Sequence, residues 1–156
     1  MAKRASKSTP YIDHDGLFKR LLTMFFFEFV QLFLQHVANH IDPTYIEFLD
    51  KETLGPLRSR RRRESDLVAK VRLKDQREAF FLIHIENQSK NDPDFPRRMY
   101  EYYARLREKY GLPVYAVAIL SYDTPTIAAP SYYEETFLGA TALHFNYTVI
   151  QLNRLS

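Results

Sequence analysis

The chain contains no cysteine among its 156 residues, and this absence excludes several kinds of site. Disulfide bridges, thiolate metal sites and cysteine nucleophiles are ruled out, and the composition fits a reducing compartment. Only four glycines occur, and none of them forms a glycine-rich phosphate loop, which argues against nucleotide binding of the P-loop type. No serine lies in the context of a nucleophile elbow.

The sequence also lacks a recognisable secretory signal and a membrane span. Residues 1–12 are basic and polar, and we expect them to form a flexible tail before a single domain at residues 13–156. The apolar stretch at residues 21–37 is interrupted by Glu28 and two glutamines, whereas a span needs ~20 mostly apolar residues. We therefore expect a buried helix in this stretch, no membrane partner and a cytoplasmic location.

Hydrophobic periodicity predicts an α/β chain built on one sheet. Helices are predicted at residues 16–38, as one bent helix or two packed helices, and at residues 95–110. Strands are predicted at residues 44–50, 66–73, 79–88, 114–121 and 142–152, with loops at 51–64 and 123–135. The first three strands predict an antiparallel meander, and the second helix predicts a parallel crossover. The expected fold is a mixed central sheet with helices covering its faces.

The hairpin at residues 66–88 brings two carboxylates together. Its turn is centred near Gln76, and Asp66 and Glu86 lie at equal distances on either side of that turn. Positions symmetric about a hairpin turn lie opposite each other, with Cβ atoms ~5 Å apart on one face. Strand periodicity adds His84 and Gln88 to the face of Glu86. We interpret His84 as a half-buried strand residue rather than a ligand.

A carboxylate pair of this kind suits a divalent cation. Two neighbouring carboxylates repel each other unless a cation or a proton lies between them. Mg²⁺ takes oxygen ligands, binds through one or two carboxylates and keeps several waters, so Mg²⁺ or Mn²⁺ is the expected cofactor. The alternative is purely structural, with Asp66 paired to a nearby arginine and Glu86 facing solvent.

Basic side chains provide candidates for phosphate contacts. Five arginines fall between Arg58 and Arg63, and the candidates for nucleic-acid binding are Arg60, Arg61, Arg62 and Arg63. The alternative is a solvated loop that only increases solubility. Arg98, on the helix that follows the Glu86 strand, is a further candidate, although most arginines on that helix are expected to be surface charges.

These segments resemble the PD-(D/E)XK nucleases, the restriction-endonuclease-like group. Asp66 followed by Glu86-Asn87-Gln88 is similar to the motif of that group, and the predicted element order matches its αβββαβ core. More narrowly, the chain resembles the Rpn/YhgA-like group of recombination-promoting nucleases and transposases. The segments that carry the narrower resemblance lie at residues 14–19, 47–52, 82–88, 98–106 and 111–114.

The resemblance implies a role for each residue of the motif. Asp66 and Glu86 would ligate the metal, with the backbone carbonyl of Asn87 as a third ligand. Gln88 stands where the wider superfamily has a lysine that orients water and supports charge, although the narrower group also has glutamine there. Glutamine keeps the hydrogen-bonding capacity but carries no charge. Asp15 would be an accessory acid, and a helix cap is the simpler interpretation of that residue.

The sequence therefore predicts a metal-dependent endonuclease that hydrolyses DNA phosphodiesters, with Asp66, Glu86 and Gln88 as its catalytic residues. The missing lysine motivates an alternative, a DNA- or protein-binding module that keeps the nuclease fold with little or no catalysis. The chain ends soon after the last predicted strand, whereas members of the resembled group often continue further. A shortened chain completed by a homodimer partner is thus a third hypothesis.

Overall fold

A computed structural model of the chain describes residues 13–49, 66–75 and 79–155. The predicted tail, the predicted loop at residues 51–64 and the hairpin turn at Gln76 lie outside these ranges. The helices are α1 (His14–Met24), α2 (Phe26–Phe33), α3 (Gln35–Ala38) and α4 (Phe95–Tyr110), with a short 3₁₀ helix at Leu152–Arg154. The strands are β1 (Ile41–Leu49), β2 (Leu67–Leu73), β3 (Phe80–Gln88), β4 (Val114–Leu120), β5 (Tyr132–Phe137), β6 (Ala140–Asn146) and β7 (Thr148–Gln151).

Five of the strands form one mixed sheet in the order β1-β2-β3-β4-β7. The β1–β2 and β2–β3 pairs are antiparallel, as the predicted meander requires. The β3–β4 and β4–β7 pairs are parallel, and α4 provides the crossover between β3 and β4. The predicted mixed sheet flanked by helices is confirmed.

The two faces of the sheet are covered by different helices because side chains alternate along each strand. Ile83 and Ile85 point to one face, where they pack with buried residues of α1 to α3 such as Phe26 and Val30. Leu82, the neighbour of Ile83, points to the other face and packs against Leu106 of α4. The buried centre of the sheet is therefore β3, which has helices on both sides.

The first predicted helix is divided into three. The backbone leaves helical geometry at Phe25, with φ −116°, and again at Leu34, with φ −130°. Leu34 remains 1% exposed, so the breaks bend the segment around the sheet and keep its apolar residues in the core. Among the described residues, no helix is both long and apolar enough to cross a membrane.

The carboxyl-terminal part differs from the prediction. The predicted loop at residues 123–135 contains the first four residues of β5, and the single strand predicted at residues 142–152 is two strands, β6 and β7, in different sheets. The chain changes sheets at Tyr147, whose backbone N–H donates to Ser131 O at 3.0 Å. A continuous run of β-forming residues does not reveal such an exchange of partners, because propensity is independent of which strand is paired.

Candidate active site

The β2–β3 hairpin has the register that the sequence predicts. Leu67 pairs with Ile85 and Val68 with His84. One residue further along the same ladder, this register sets Asp66 opposite Glu86. Asp66 directly precedes β2, and Glu86 lies within β3. The two acids therefore lie on adjacent chain segments at the same end of the hairpin.

Both acids are enclosed by the protein. Asp66 is 1% exposed and Glu86 is 2% exposed. Removing carboxylates from water is costly unless a proton, a cation or a hydrogen-bonding group stabilises them. The pair consequently requires a specific polar environment, and the structural alternative in which Glu86 faces solvent is wrong.

His84 provides part of that environment. Its Nε2 lies 3.2 Å from Glu86 Oε2, and its side chain is fully buried, with an exposed fraction of 0%. The two residues are two apart on one strand and therefore share a face. The prediction of a half-buried His84 is wrong, because α4 covers this face and the Tyr102 ring lies 5.4 Å from the imidazole. His84 is thus a contact partner of Glu86.

Gln88 connects the acid-bearing strand to α4. Its Nε2 donates to Lys90 O at 2.6 Å, and its Oε1 accepts from Arg98 Nη2 at 3.0 Å. Arg98 Nη1 also lies 3.2 Å from Asp92 Oδ2. The amide orientation of Gln88 is therefore determined from both sides, and a guanidinium is held beside the position at which the resembled superfamily has lysine.

Arg98 differs from its neighbour on α4. The side chain of Arg98 is 11% exposed, whereas that of Arg97 is 47% exposed and pairs with Asp94 on the surface. Arg98 Nε is buried and donates to no hydrogen-bond acceptor in the described part of the chain. One donor of this guanidinium is consequently not used by the described residues.

Asn87 points to the opposite side of β3 from Glu86 and Gln88. Its Oδ1 accepts from Ser121 Oγ at 3.1 Å, and its side chain helps to join the ends of β3 and β4. This contact concerns the side chain, and the implied role of the backbone carbonyl of Asn87 as a metal ligand stays a prediction.

Several predicted residues fall outside the described part of the chain. Arg60, Arg61, Arg62 and Arg63 belong to the undescribed segment, so their predicted phosphate contacts are untested. Asp15 lies within α1, but its side chain is outside the described set. The cap of α1 is Asp13, whose Oδ1 accepts from Gly16 N at 3.0 Å, so the interpretation of Asp15 as the cap is wrong.

The Asp66–Glu86 pair offers carboxylate oxygens to a divalent cation, and Mg²⁺ or Mn²⁺ stays the predicted ion. Within the described ranges, no group of three or more His, Cys, Asp or Glu side chains is arranged to hold a metal ion. Structural zinc needs four such protein ligands and catalytic zinc needs three. Mg²⁺ binds through one or two carboxylates and retains waters, which matches the Asp66–Glu86 pair.

The contacts that Glu86, Gln88 and Asp92 make in this site were not predicted from the sequence. The His84–Glu86 contact follows from a spacing of two on one strand, and that signal was available in the sequence. The Asp92–Arg98 ion pair was not predictable from local patterns, because it joins a loop to the face of a helix six residues away. Asp92 also accepts from Asp94 N at 2.9 Å, which organises the start of α4.

Comparison with known proteins identifies no family for this chain. No family model, no curated protein and no solved structure matches it. The function must therefore be inferred from the residues of the site themselves.

Proposed function

We propose that the chain is a metal-dependent endonuclease that hydrolyses the phosphodiester backbone of DNA, with a restriction-endonuclease-like core of the recombination-promoting type. The observation that carries this proposal is the β2–β3 register, which sets Asp66 opposite Glu86 on a buried face. The same face continues to Gln88, which contacts Arg98. Two acids that can hold a metal ion and a fixed guanidinium are suited to phosphodiester hydrolysis, because the ion and the guanidinium both offset negative charge on the phosphate.

Asp66 and Glu86 are the residues that would hold Mg²⁺ or Mn²⁺, with the Asn87 carbonyl as a further ligand. When bound, the ion makes water more acidic and offsets the negative charge that develops on the phosphate. His84 acts on Glu86 by holding one carboxylate oxygen, Oε2, at 3.2 Å. That contact limits the rotation of the Glu86 carboxylate and so fixes the orientation of Oε1, the oxygen that would be left for the metal.

Arg98 supplies the charge that Gln88 lacks. A glutamine orients a water or a phosphate oxygen but remains neutral. The guanidinium held by Gln88 and Asp92 is always charged and presents donors in a planar fork that matches phosphate geometry. In this proposal Gln88 positions Arg98, and Arg98 contacts the scissile phosphate.

A second function is favoured by one observation, the enclosure of the acids. With Asp66 1% and Glu86 2% exposed, a phosphate reaches them only after neighbouring groups move. A module that binds DNA or protein without cutting does not need a phosphate to reach the acids. In such a module the buried polar face would serve the specificity of the fold. The two functions differ in whether the folded protein cuts DNA in the presence of metal.

Cleavage of supercoiled plasmid with Mg²⁺ or Mn²⁺ tests the proposal. The expected result is metal-dependent nicking, which the isosteric substitutions Asp66→Asn and Glu86→Gln reduce by about 100-fold or more because they remove the ligand charge. Thermal melting and circular dichroism establish that each variant is folded. A folded parent that retards DNA in a gel but does not nick it would contradict the enzyme and support the binding module.

A matched pair of arginine variants tests the role of Arg98. Arg98→Ala should reduce nicking by about 100-fold, since it removes charge beside the reacting phosphate. Arg97→Ala is the control, because its side chain pairs with Asp94 on the exposed side of α4. If Arg98→Ala and Arg97→Ala nick plasmid at the same rate, Arg98 has a structural role and does not contact the reacting phosphate.

A further inference from the structure

A cavity of about 260 Å³ lies beside the candidate site, at the carboxyl ends of the parallel strands β3 and β4. Gln88 and Asp92, which hold Arg98, form part of its wall. The cavity is therefore adjacent to Arg98, the residue proposed to contact the phosphate. Ligands of open α/β sheets commonly bind at the carboxyl ends of strands.

The lining of this cavity suits a flat and uncharged ring. Phe95, Tyr122 and Tyr147 contribute aromatic surface, and four prolines add further apolar surface. No lysine or arginine is among the described residues that line the cavity, so it offers no direct counter-charge to a second phosphate. Its volume is below the range of roughly 300–1,000 Å³ that is usual for drug-sized ligands, which favours a single ring system.

The wall formed by residues 125–130 is held in place by hydrogen bonds. Gln151, which is 7% exposed, accepts from Ala129 N at 3.0 Å and donates to Ile127 O at 2.9 Å. Asn153 donates to Asp123 O and to Pro125 O, both at 3.0 Å. These bonds come from the last residue of β7 and from the 3₁₀ helix that follows it, so the wall is formed before any ligand binds.

Polar groups in the lining of the cavity match the edge of a nucleobase. Gln88, Asn91 and Asp92 add two amides and a carboxylate to a largely apolar lining. Amide and carboxylate side chains hydrogen-bond the exposed edges of bases, and aromatic or apolar side chains stack on their faces. A base inside a continuous duplex is already stacked and paired, so it cannot enter such a cavity without leaving the helix.

We propose that this cavity binds one unpaired base of the DNA strand, next to the phosphate that contacts Arg98. The proposal rests on the proposed nuclease function and narrows its substrate to single-stranded or locally opened DNA. Stacking of one base on aromatic side chains would give a preference for single-stranded over duplex DNA, and this preference would be largely independent of base sequence.

The test uses the folded parent protein and a variant in which the cavity is filled. Ala128 lines the cavity and is exposed, so Ala128→Trp fills the space without removing a core side chain. Ala140→Trp is the matched control, because Ala140 is exposed on β6 and does not line the cavity. Binding is measured in EDTA, by fluorescence anisotropy, to a single-stranded oligonucleotide of about 12 nucleotides and to the matching duplex.

We expect the parent and Ala140→Trp to bind the single strand about tenfold more tightly than the duplex, and Ala128→Trp to lose that preference. A 2-aminopurine base in the single strand should change its fluorescence on binding to the parent but not to Ala128→Trp. If Ala128→Trp is folded and keeps the preference while plasmid nicking persists, the base site is wrong and the nuclease function stands. If the parent neither binds nor nicks any DNA, the proposed function itself fails, and the base site with it.

Discussion

Three polar residues lie on the face of β3 that α4 covers, although the buried face of a central strand usually carries apolar side chains. His84, Glu86 and Gln88 are each no more than 2% exposed. Buried polar groups persist when they have partners, and each of these three has a hydrogen-bond contact. Buried ionic groups are often no better for stability than apolar residues of similar volume. Their presence on the central strand therefore argues for a chemical role.

A polar residue on the surface provides the clearest pH-dependent interaction. His144 of β6 has its Nδ1 2.6 Å from Glu134 Oε2 and its Nε2 3.1 Å from Asn146 Oδ1. These hydrogen bonds, the one to Glu134 first, raise the pKa of His144 above its ordinary value of 6.5. The interaction accordingly stabilises the β5–β6 hairpin fully below about pH 6.5 and is lost as the pH rises through the folded pKa.

We predict that Glu134→Gln lowers the pKa of His144 toward its ordinary value. Titration of the imidazole by NMR measures this change directly. Glu135→Gln is the control, since Glu135 contacts Tyr133 on the same hairpin rather than His144. A pKa of His144 that is equal in both variants would mean that Glu134 is not its main partner.

Among the secondary-structure elements, the β2–β3 hairpin and α4 were predictable from local sequence. The hairpin register follows from a symmetric arrangement about a single polar turn, and the observed Leu67–Ile85 and Val68–His84 pairs have that symmetry. Helix α4 ends at Gly111, whose φ of 64° is the left-handed conformation expected of a terminal glycine. Both features depend on residues close together in sequence.

Other elements depended on interactions between distant residues. The exchange of strand partners at Tyr147 is set by contacts with the loop before β5, including the bond from Tyr147 Oη to Pro130 O at 3.0 Å. The link from Gln88 to Arg98 and Asp92 likewise requires α4 to be packed on β3. Neither periodicity nor propensity contains this information, because both describe one segment at a time.

The end of α4 gives a quantitative prediction. Gly111→Ala places a Cβ on a residue with φ 64°, and we expect it to reduce the free energy of unfolding by about 1 kcal/mol. The cost is conformational, since an added Cβ would meet no described atom within 4 Å. Urea denaturation measures the change. Glu108→Ala, in the last turn of the same helix, should stay within about 0.5 kcal/mol of the parent, and an equal loss in both variants would contradict this explanation.

At the scale of the whole molecule, the two faces of the central sheet differ in that one of them carries a buried acid. Helices α1 to α3 cover one face, where Val30 and Ile83 are both 0% exposed. The other face carries Glu86 and Gln88 beneath α4. Both faces of β3 therefore contribute buried apolar contacts, and the face beneath α4 also carries the buried acid at which a bound cation would act.

This arrangement predicts that a divalent cation stabilises the entire domain. An ion that binds only the folded state at 100 times its Kd raises the free energy of unfolding by about 2.7 kcal/mol. Thermal melting with increasing Mg²⁺ or Mn²⁺ should therefore show a rising Tm for the parent. The double variant Asp66→Asn, Glu86→Gln should lose most of that rise, because it removes both charged ligands. Asp123→Asn, which changes an exposed acid elsewhere, should keep it. An identical rise in all three proteins would mean that the cation binds away from the buried acids, and the acid pair would then have to be explained without a metal.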